Sequence, residues 1–170
     1  MIIRRLAQAD VDAFRQLRLR ALQEHPEAFG RSYEESIAAP PEHWLARLQP
    51  TPHDFILGAF EDTLVGMVGF RREQGLKEQH KGLIWGMYVT SEASGRGIGR
   101  ALLEQLLAEA QQQPTLEQIM LSVVTTNVAA RQLYASLGFK TYGVEPRALK
   151  VGQQYLDEDL MVLHIPNHKL

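Results

Sequence analysis

Two stretches of this 170-residue chain hold residue types whose spacing could do chemistry. The first is Ser94-Gly95-Arg96-Gly97-Ile98-Gly99-Arg100. Glycines let a backbone turn tightly and bring its amides close to a guest. A helix opening after them adds unpaired N–H groups and partial positive charge. Phosphate or diphosphate is the natural guest of such a segment, with Arg96 and Arg100 able to add charge-assisted contacts. The nucleotide fingerprints fit poorly. A Walker loop ends in Gly-Lys-Ser or Gly-Lys-Thr, where this chain has Gly99-Arg100-Ala101; a dinucleotide loop needs a third glycine where Arg100 stands. The second stretch runs from Asn127 to Phe139. Asn127 and Tyr134 are two helical turns apart, on one side of a helix and about 10 Å apart along its axis. Ala130 between them is small enough to let a thin ligand lie against that face. The plain alternatives are a glycine-rich connection that binds nothing, an asparagine that only caps, and a tyrosine that only packs.

The elements that must hold these residues read as follows. Ile2, Ile3 and Leu6 suggest a first strand, and Asp10 an N-cap for a helix carrying Val11, Phe14, Leu17, Ala21 and Leu22 on one side. Ser32 to Glu35 fits a capping box for a short helix to about Ala38, and Glu42 to Leu48 reads as another. Phe55–Phe60 and Leu64–Phe70 form a hairpin, with 71–81 as a loop. Leu83 to Val89 is apolar nearly throughout, which predicts a central strand covered on both faces. The glycine-rich turn follows, then a helix packed through Ile98, Leu102, Leu103, Leu106 and Ala110 and ended by Pro114. Ile119 to Val124 is a strand. Asn127 caps the next helix, which presents Ala130, Leu133, Tyr134 and Leu137 and stops at Gly138. Lys140–Val144 and Leu160–Ile165 are the last strands, separated by a turn region containing Gly152. The order predicts one mixed α/β domain over residues 1–170.

Residues 85–139 resemble the GNAT superfamily of N-acetyltransferases, in Met87-Tyr88-Val89, in Gly95-Arg96-Gly97-Ile98-Gly99, and in Asn127-(x)6-Tyr134-(x)3-Gly138-Phe139. Joint occurrence makes the match specific, and the strand order over the whole chain agrees. Ser94 departs from the pattern, standing where the family loop usually opens with Gln or Arg; the backbone cradle is kept and one side-chain contact is lost. The resemblance implies a single mixed, mostly antiparallel sheet with helices on both faces and splayed central strands. It implies acetyl-CoA as co-substrate, its pantetheine arm pairing with the backbone around Met87 and Val89 and its diphosphate on residues 95–100. Asn127 would bond the arm, Ala130 would pack beside it, and Tyr134 would stand near the thioester sulfur.

The implied reaction is attack of an amine on the thioester. A lysine-like amine has a pKa of about 10.4, so a base must take its proton, directly or through water. A backbone N–H near Val89 would stabilise the carbonyl oxygen, and Tyr134 would aid thiolate departure. The chain has no cysteine, which excludes a cysteine acyl-enzyme, thiolate zinc and disulfides, and no serine triad is visible; direct transfer in a ternary complex is expected. No base is legible. Glu24, Glu34 and Glu35 lie in the segment expected to wall the acceptor site, Asp157, Glu158 and Asp159 open the last strand, and Trp85 and Tyr155 are candidates to shape the pocket. His164 and His168 flank Pro166, which breaks ligand spacing, so no metal is assigned. A net charge of -2 argues against nucleic acid. The start lacks a signal-peptide core and no apolar run is long enough for a membrane, so the expected location is cytoplasmic. The acceptor is a small-molecule or protein amine, and a homodimer follows family habit only. The other readings left open are a non-catalytic acyl-CoA-binding module and a nucleotide-binding regulator.

Overall fold

The computed structural model describes residues 1–166. Ile2–Arg5 (β1) pairs antiparallel with Asp54–Phe60 (β2), which returns through residues 61–63 into Leu64–Arg72 (β3). Lys81–Val89 (β4) pairs antiparallel with β3 and parallel with Gln118–Val124 (β5). Lys140–Val151 (β6) and Gln154–His164 (β7) form a hairpin whose second arm joins β5, giving the order β1-β2-β3-β4-β5-β7-β6. The sheet is antiparallel but for the β4–β5 pair, as the resemblance implies.

Period-two alternation divides the core between the two faces. From β2 and β3, Phe55, Leu57, Val68 and Phe70 point to the face covered by Ile98–Ala110 (α4), where Leu102, Leu103 and Leu106 are fully buried. Ile56 and Met67 point the other way, under Val11–Glu24 (α1), whose Phe14 and Leu17 pack with Trp44 from Pro41–Arg47 (α3). Tyr33–Ile37 (α2) starts with the predicted capping box: Ser32 Oγ accepts from the Glu35 N–H, and the Glu35 carboxylate accepts from the Ser32 N–H, both at 3.1 Å. Val128–Ser136 (α5) lies on the α4 side, with Tyr134 in that core.

Four local expectations change. Asp10 does not cap α1 with its side chain; a 3-10 turn precedes the helix, and the carboxylate faces back to take the Arg4 guanidinium and the Ala7 N–H. α4 ends at Ala110, before Pro114. The region read as a turn between 145 and 159 is mostly strand: β6 and β7 pair down to Val151–Gln154, with an irregularity between Glu145 and Leu149 where Arg147 adopts φ 52°. Finally, β4 is not covered along its length. Leu83, Trp85, Gly86, Met87 and Val89 are only half-buried, because part of the strand borders open space rather than another strand.

Candidate active site

β4 and β5 meet only at Lys81–Gln118, Gly82–Ile119 and Leu83–Met120. Beyond Leu83 the strands part. Buried Arg72 holds the closed end, its guanidinium donating to the carbonyls of Gln79 and Pro114 and to Thr115 Oγ1. The divergence begins beside a bulge: β3 pairs Met67 with Tyr88 and Gly69 with Trp85, so Gly86 and Met87 together face Val68. Gly86 takes φ +66°, the left-handed conformation that favours glycine. The bulge sets Met87 and Val89 toward α4, while Trp85 and Tyr88 face α1.

A cleft of about 760 Å³ opens where the strands part. Of the residues expected in the binding site, Met87, Tyr88, Val89, Gly95, Gly97, Ile98, Gly99, Arg100, Asn127, Ala130 and Tyr134 line it. Arg96 does not; its guanidinium turns onto Glu61 in the β2–β3 turn. The Arg100 guanidinium donates to Ser136 Oγ at 2.6 Å and neighbours Glu104. Ser94 keeps its hydroxyl on its own turn, donating to the Thr90 carbonyl. Charge at this wall therefore comes from the backbone more than from side chains. Gly95 and Gly97 have φ +74° and +79°, and a Cβ on either would meet nothing within 4 Å. Their glycine character serves backbone conformation, and the space above them is open. Among the described residues the N–H groups of Gly95, Arg96 and Gly97 have no hydrogen-bond partner, and α4 carries no acidic residue in its first turn. The fit for a diphosphate is thus a concave row of free donors at a positive helix end.

The opposite wall is α5. Asn127 caps it as predicted, its Oδ1 accepting from the Ala130 N–H at 3.2 Å. The helix ends in a Schellman arrangement: Phe139 N–H bonds the Tyr134 carbonyl, Gly138 N–H bonds that of Ala135, and Gly138 takes φ +99°. The Phe139 ring lies edge-on to Tyr134, centroids 6.0 Å apart, which holds the phenol in place. Tyr134 is buried, its hydroxyl has no hydrogen-bond partner among the described residues, and it borders the cleft. Burial pushes its pKa up to about 12. The phenol keeps its proton throughout the physiological range and remains a donor awaiting an acceptor.

A second cavity, of about 450 Å³, continues along β4 on the α1 side, lined in part by Leu83, Ile84, Trp85 and Gly86. Ala28 and Phe29 border both spaces. The Trp85 indole lies across Gly69 of β3, where a Cβ would collide with it. Trp85 is therefore a wall of this cavity. Tyr155 is not: it is exposed on the β6–β7 hairpin beneath Arg147 and Lys150. The carboxylates weighed as bases separate cleanly. Glu24 accepts from the Tyr88 hydroxyl at 2.6 Å and pairs with Arg20; Glu35 serves its capping box; Asp157 accepts from the Arg147 N–H. Asp159 is buried against Arg131 of α5. Glu34 lies in the first turn of α2 and lines a separate depression. Glu158 alone of the six lines the second cavity, and burial, with Glu145 nearby, raises its pKa above the usual carboxylate range. Sequence pattern offered one usable signal for this separation: adjacent strand residues face opposite sides, so Glu158 and Asp159 could not share a role. Among the described residues no cluster could hold a metal ion; His168 lies outside them. No helix is long and apolar enough to cross a membrane.

Comparison with known proteins agrees with this geometry. The sequence pattern of the acetyltransferase (GNAT) family matches residues 12–139. The mycothiol acetyltransferase of Thermobispora bispora is 34% identical over 139 residues, which are 80% of this chain but only 45% of that protein. An uncharacterized N-acetyltransferase of Methanocaldococcus jannaschii is 28% identical over 99% of this chain and 95% of its own length. Among solved structures, an acetyltransferase of Salmonella typhimurium, determined with its cofactor acetyl-CoA, superposes with a TM-score of 0.81 over 100% of this chain and 96% of that one, at 22% identity. That likeness speaks to the fold.

Proposed function

The chain belongs to the GNAT acetyltransferase family, and on that premise we propose that it moves the acetyl group of acetyl-CoA to an amine by direct attack in a ternary complex. The observation that carries the reading is the open cradle of the cleft: free N–H groups on left-handed glycines at a helix end without its own carboxylate, facing an unpartnered tyrosine across splayed strands. Residues 95–100 would hold the diphosphate through their backbone, and the β4 backbone at Met87 and Val89, which has no strand partner on its β5 side, would bond the amide-bearing arm. Asn127 spends its Oδ1 on the helix cap, so its side-chain N–H2 is the part available to the arm.

When bound, acetyl-CoA supplies an activated acyl group and a thiolate leaving group. The chain's part is to place and to move protons. The acceptor enters from the Trp85 cavity, where Glu158 is the group best suited to take the amine proton: it borders that space, and its raised pKa makes it a stronger base than an exposed carboxylate. An N–H of β4 near Val89 is the proposed donor to the carbonyl oxygen. Tyr134 meets the leaving sulfur. Its pKa of about 12 lies well above that of a thiol, so its help is a hydrogen bond that strengthens as charge builds rather than a completed early proton transfer. The testing experiment is thiol release from acetyl-CoA with a panel of amines. Amine-dependent release supports the enzyme; tight acetyl-CoA binding without release on any amine supports the non-catalytic binding module instead.

A further inference from the structure

The acceptor-side cavity carries more positive charge than transfer to an amine requires. Arg18, Arg31, Arg47 and Arg71 line it, against the carboxyls of Asp54 and Glu158. Burial raises the pKa of both carboxyls, and these two groups stand against four guanidiniums. Arg71 has a carboxylate of its own, Glu73, at 3.7 Å. Arg18 has none. It is 7% exposed, and none of its N–H donors finds a hydrogen-bond acceptor among the described residues; Nη1 is wholly buried and unpaired. What surrounds it is aromatic: its guanidinium carbon lies 4.8 Å from the centre of the Phe29 ring and 5.7 Å from that of Trp85. The Arg47 guanidinium carbon lies 4.8 Å from the Trp85 ring as well, also without a hydrogen bond. Ring contacts hold a guanidinium in place without using its N–H groups. Burial, and then repulsion from Arg47 and Arg31, pushes the Arg18 pKa down to about 10, so it stays charged at neutral pH.

A buried, charged and unbonded guanidinium is costly, and an anion that accepts from it would offset that cost. The position is specific. Arg18 reaches from α1 to the β4 bulge, where a Cβ on Gly86 would stand 3.4 Å from Nη1, at the point where the strands separate. An amine alone gains nothing from this wall, because an ammonium is repelled by it. We propose that the cavity takes a small amine bearing a carboxylate or phosphate, with Arg18 holding the anion and Arg47 beside it. The proposal rests on the acetyltransfer reading and names the substrate class for the same site. It also suits the chemistry, since like charges disfavour the ammonium form and favour the nucleophilic free amine.

The test compares kcat/KM, at saturating acetyl-CoA and low salt, for ω-amino acids and ω-aminoalkyl phosphonates against alkylamines of the same chain length. The expected result is a preference for the acid-bearing amines of at least about tenfold, the better of the two acids identifying the anion. Arg18→Gln collapses that ratio toward one while acetyl-CoA still binds; Arg47→Gln lowers it less. Equal turnover of acid and alkylamine by the wild type overturns the proposal, as does an unchanged ratio in Arg18→Gln. If Arg18→Gln has lost acetyl-CoA binding through misfolding, an unchanged ratio in Arg47→Gln overturns it. If no amine is acetylated, the acetyltransfer reading fails on its own, and calorimetry with glutarate and inorganic phosphate decides the anion site: binding removed by Arg47→Gln sustains it, and no binding of either removes it.

Discussion

Tyr134 and Glu158 are proposed for different work because the same effect of burial acts on acids of very different ordinary pKa. Both are pushed toward their protonated forms; for a phenol that secures a permanent donor, and for a carboxyl it makes a stronger base. Tyr134→Phe is expected to lower kcat on the order of 100-fold with little change in acetyl-CoA affinity, checked by steady-state kinetics beside calorimetry. Glu158 must be ionised to accept a proton, so kcat/KM falls as pH drops through its pKa, a limb placed above the usual carboxylate range; Glu158→Gln removes that limb and leaves the acceptor's own deprotonation. The stability sign runs opposite to activity. A carboxyl whose pKa is higher folded than unfolded contributes its stability in acid and loses it as pH rises through the folded value. Glu158→Gln should therefore melt higher than wild type at neutral pH, with the gain vanishing in acid, as thermal denaturation across pH will show.

At the scale of elements, the placement of α5 decides whether Asn127, Ala130 and Tyr134 face the cleft. Its start is set by the Asn127 cap, its end by Gly138, and its seat on the sheet by Arg131, which donates to the Thr125 carbonyl and pairs with buried Asp159 of β7. Asp159→Asn breaks that pair and is expected to cost about 2 kcal/mol, read by urea denaturation. Most of these elements were legible in the sequence, because caps, glycine stops and hydrophobic spacing are local: the Ser32–Glu35 capping box, the α4 stripe and the α5 boundaries stand where pattern placed them. The misread elements have a common cause. Asp10 has the chemistry of a cap, but Arg4, brought near by the β1 strand, competes for its carboxylate. Residues 145–159 have too many charges and turn formers to read as strand, yet long-range pairing between β6 and β7 carries them.

For the molecule as a whole, the cleft exists because one sheet is held shut at Arg72 and held open at the Gly86 bulge. Acetyl-CoA bridging β4, the glycine loop and α5 should stabilise the entire fold, by about 2.7 kcal/mol at 100 times its Kd, which corresponds to a Tm rise of roughly 5–10 °C. ATP and NAD should give no comparable shift; a rise with either and none with acetyl-CoA would favour the nucleotide-binding regulator. The sequence by itself determined the strand and helix order, the glycine cradle and the two ends of α5, since each depends on a few neighbouring residues and the backbone conformations they permit. Only the tertiary structure decided which carboxylate borders the second cavity, that Arg96 leaves the cleft for Glu61, and that Arg18 stands charged and unbonded beside Trp85. Those facts depend on which side chains from distant segments share a space and what water they exclude, and spacing along the chain carries no record of either.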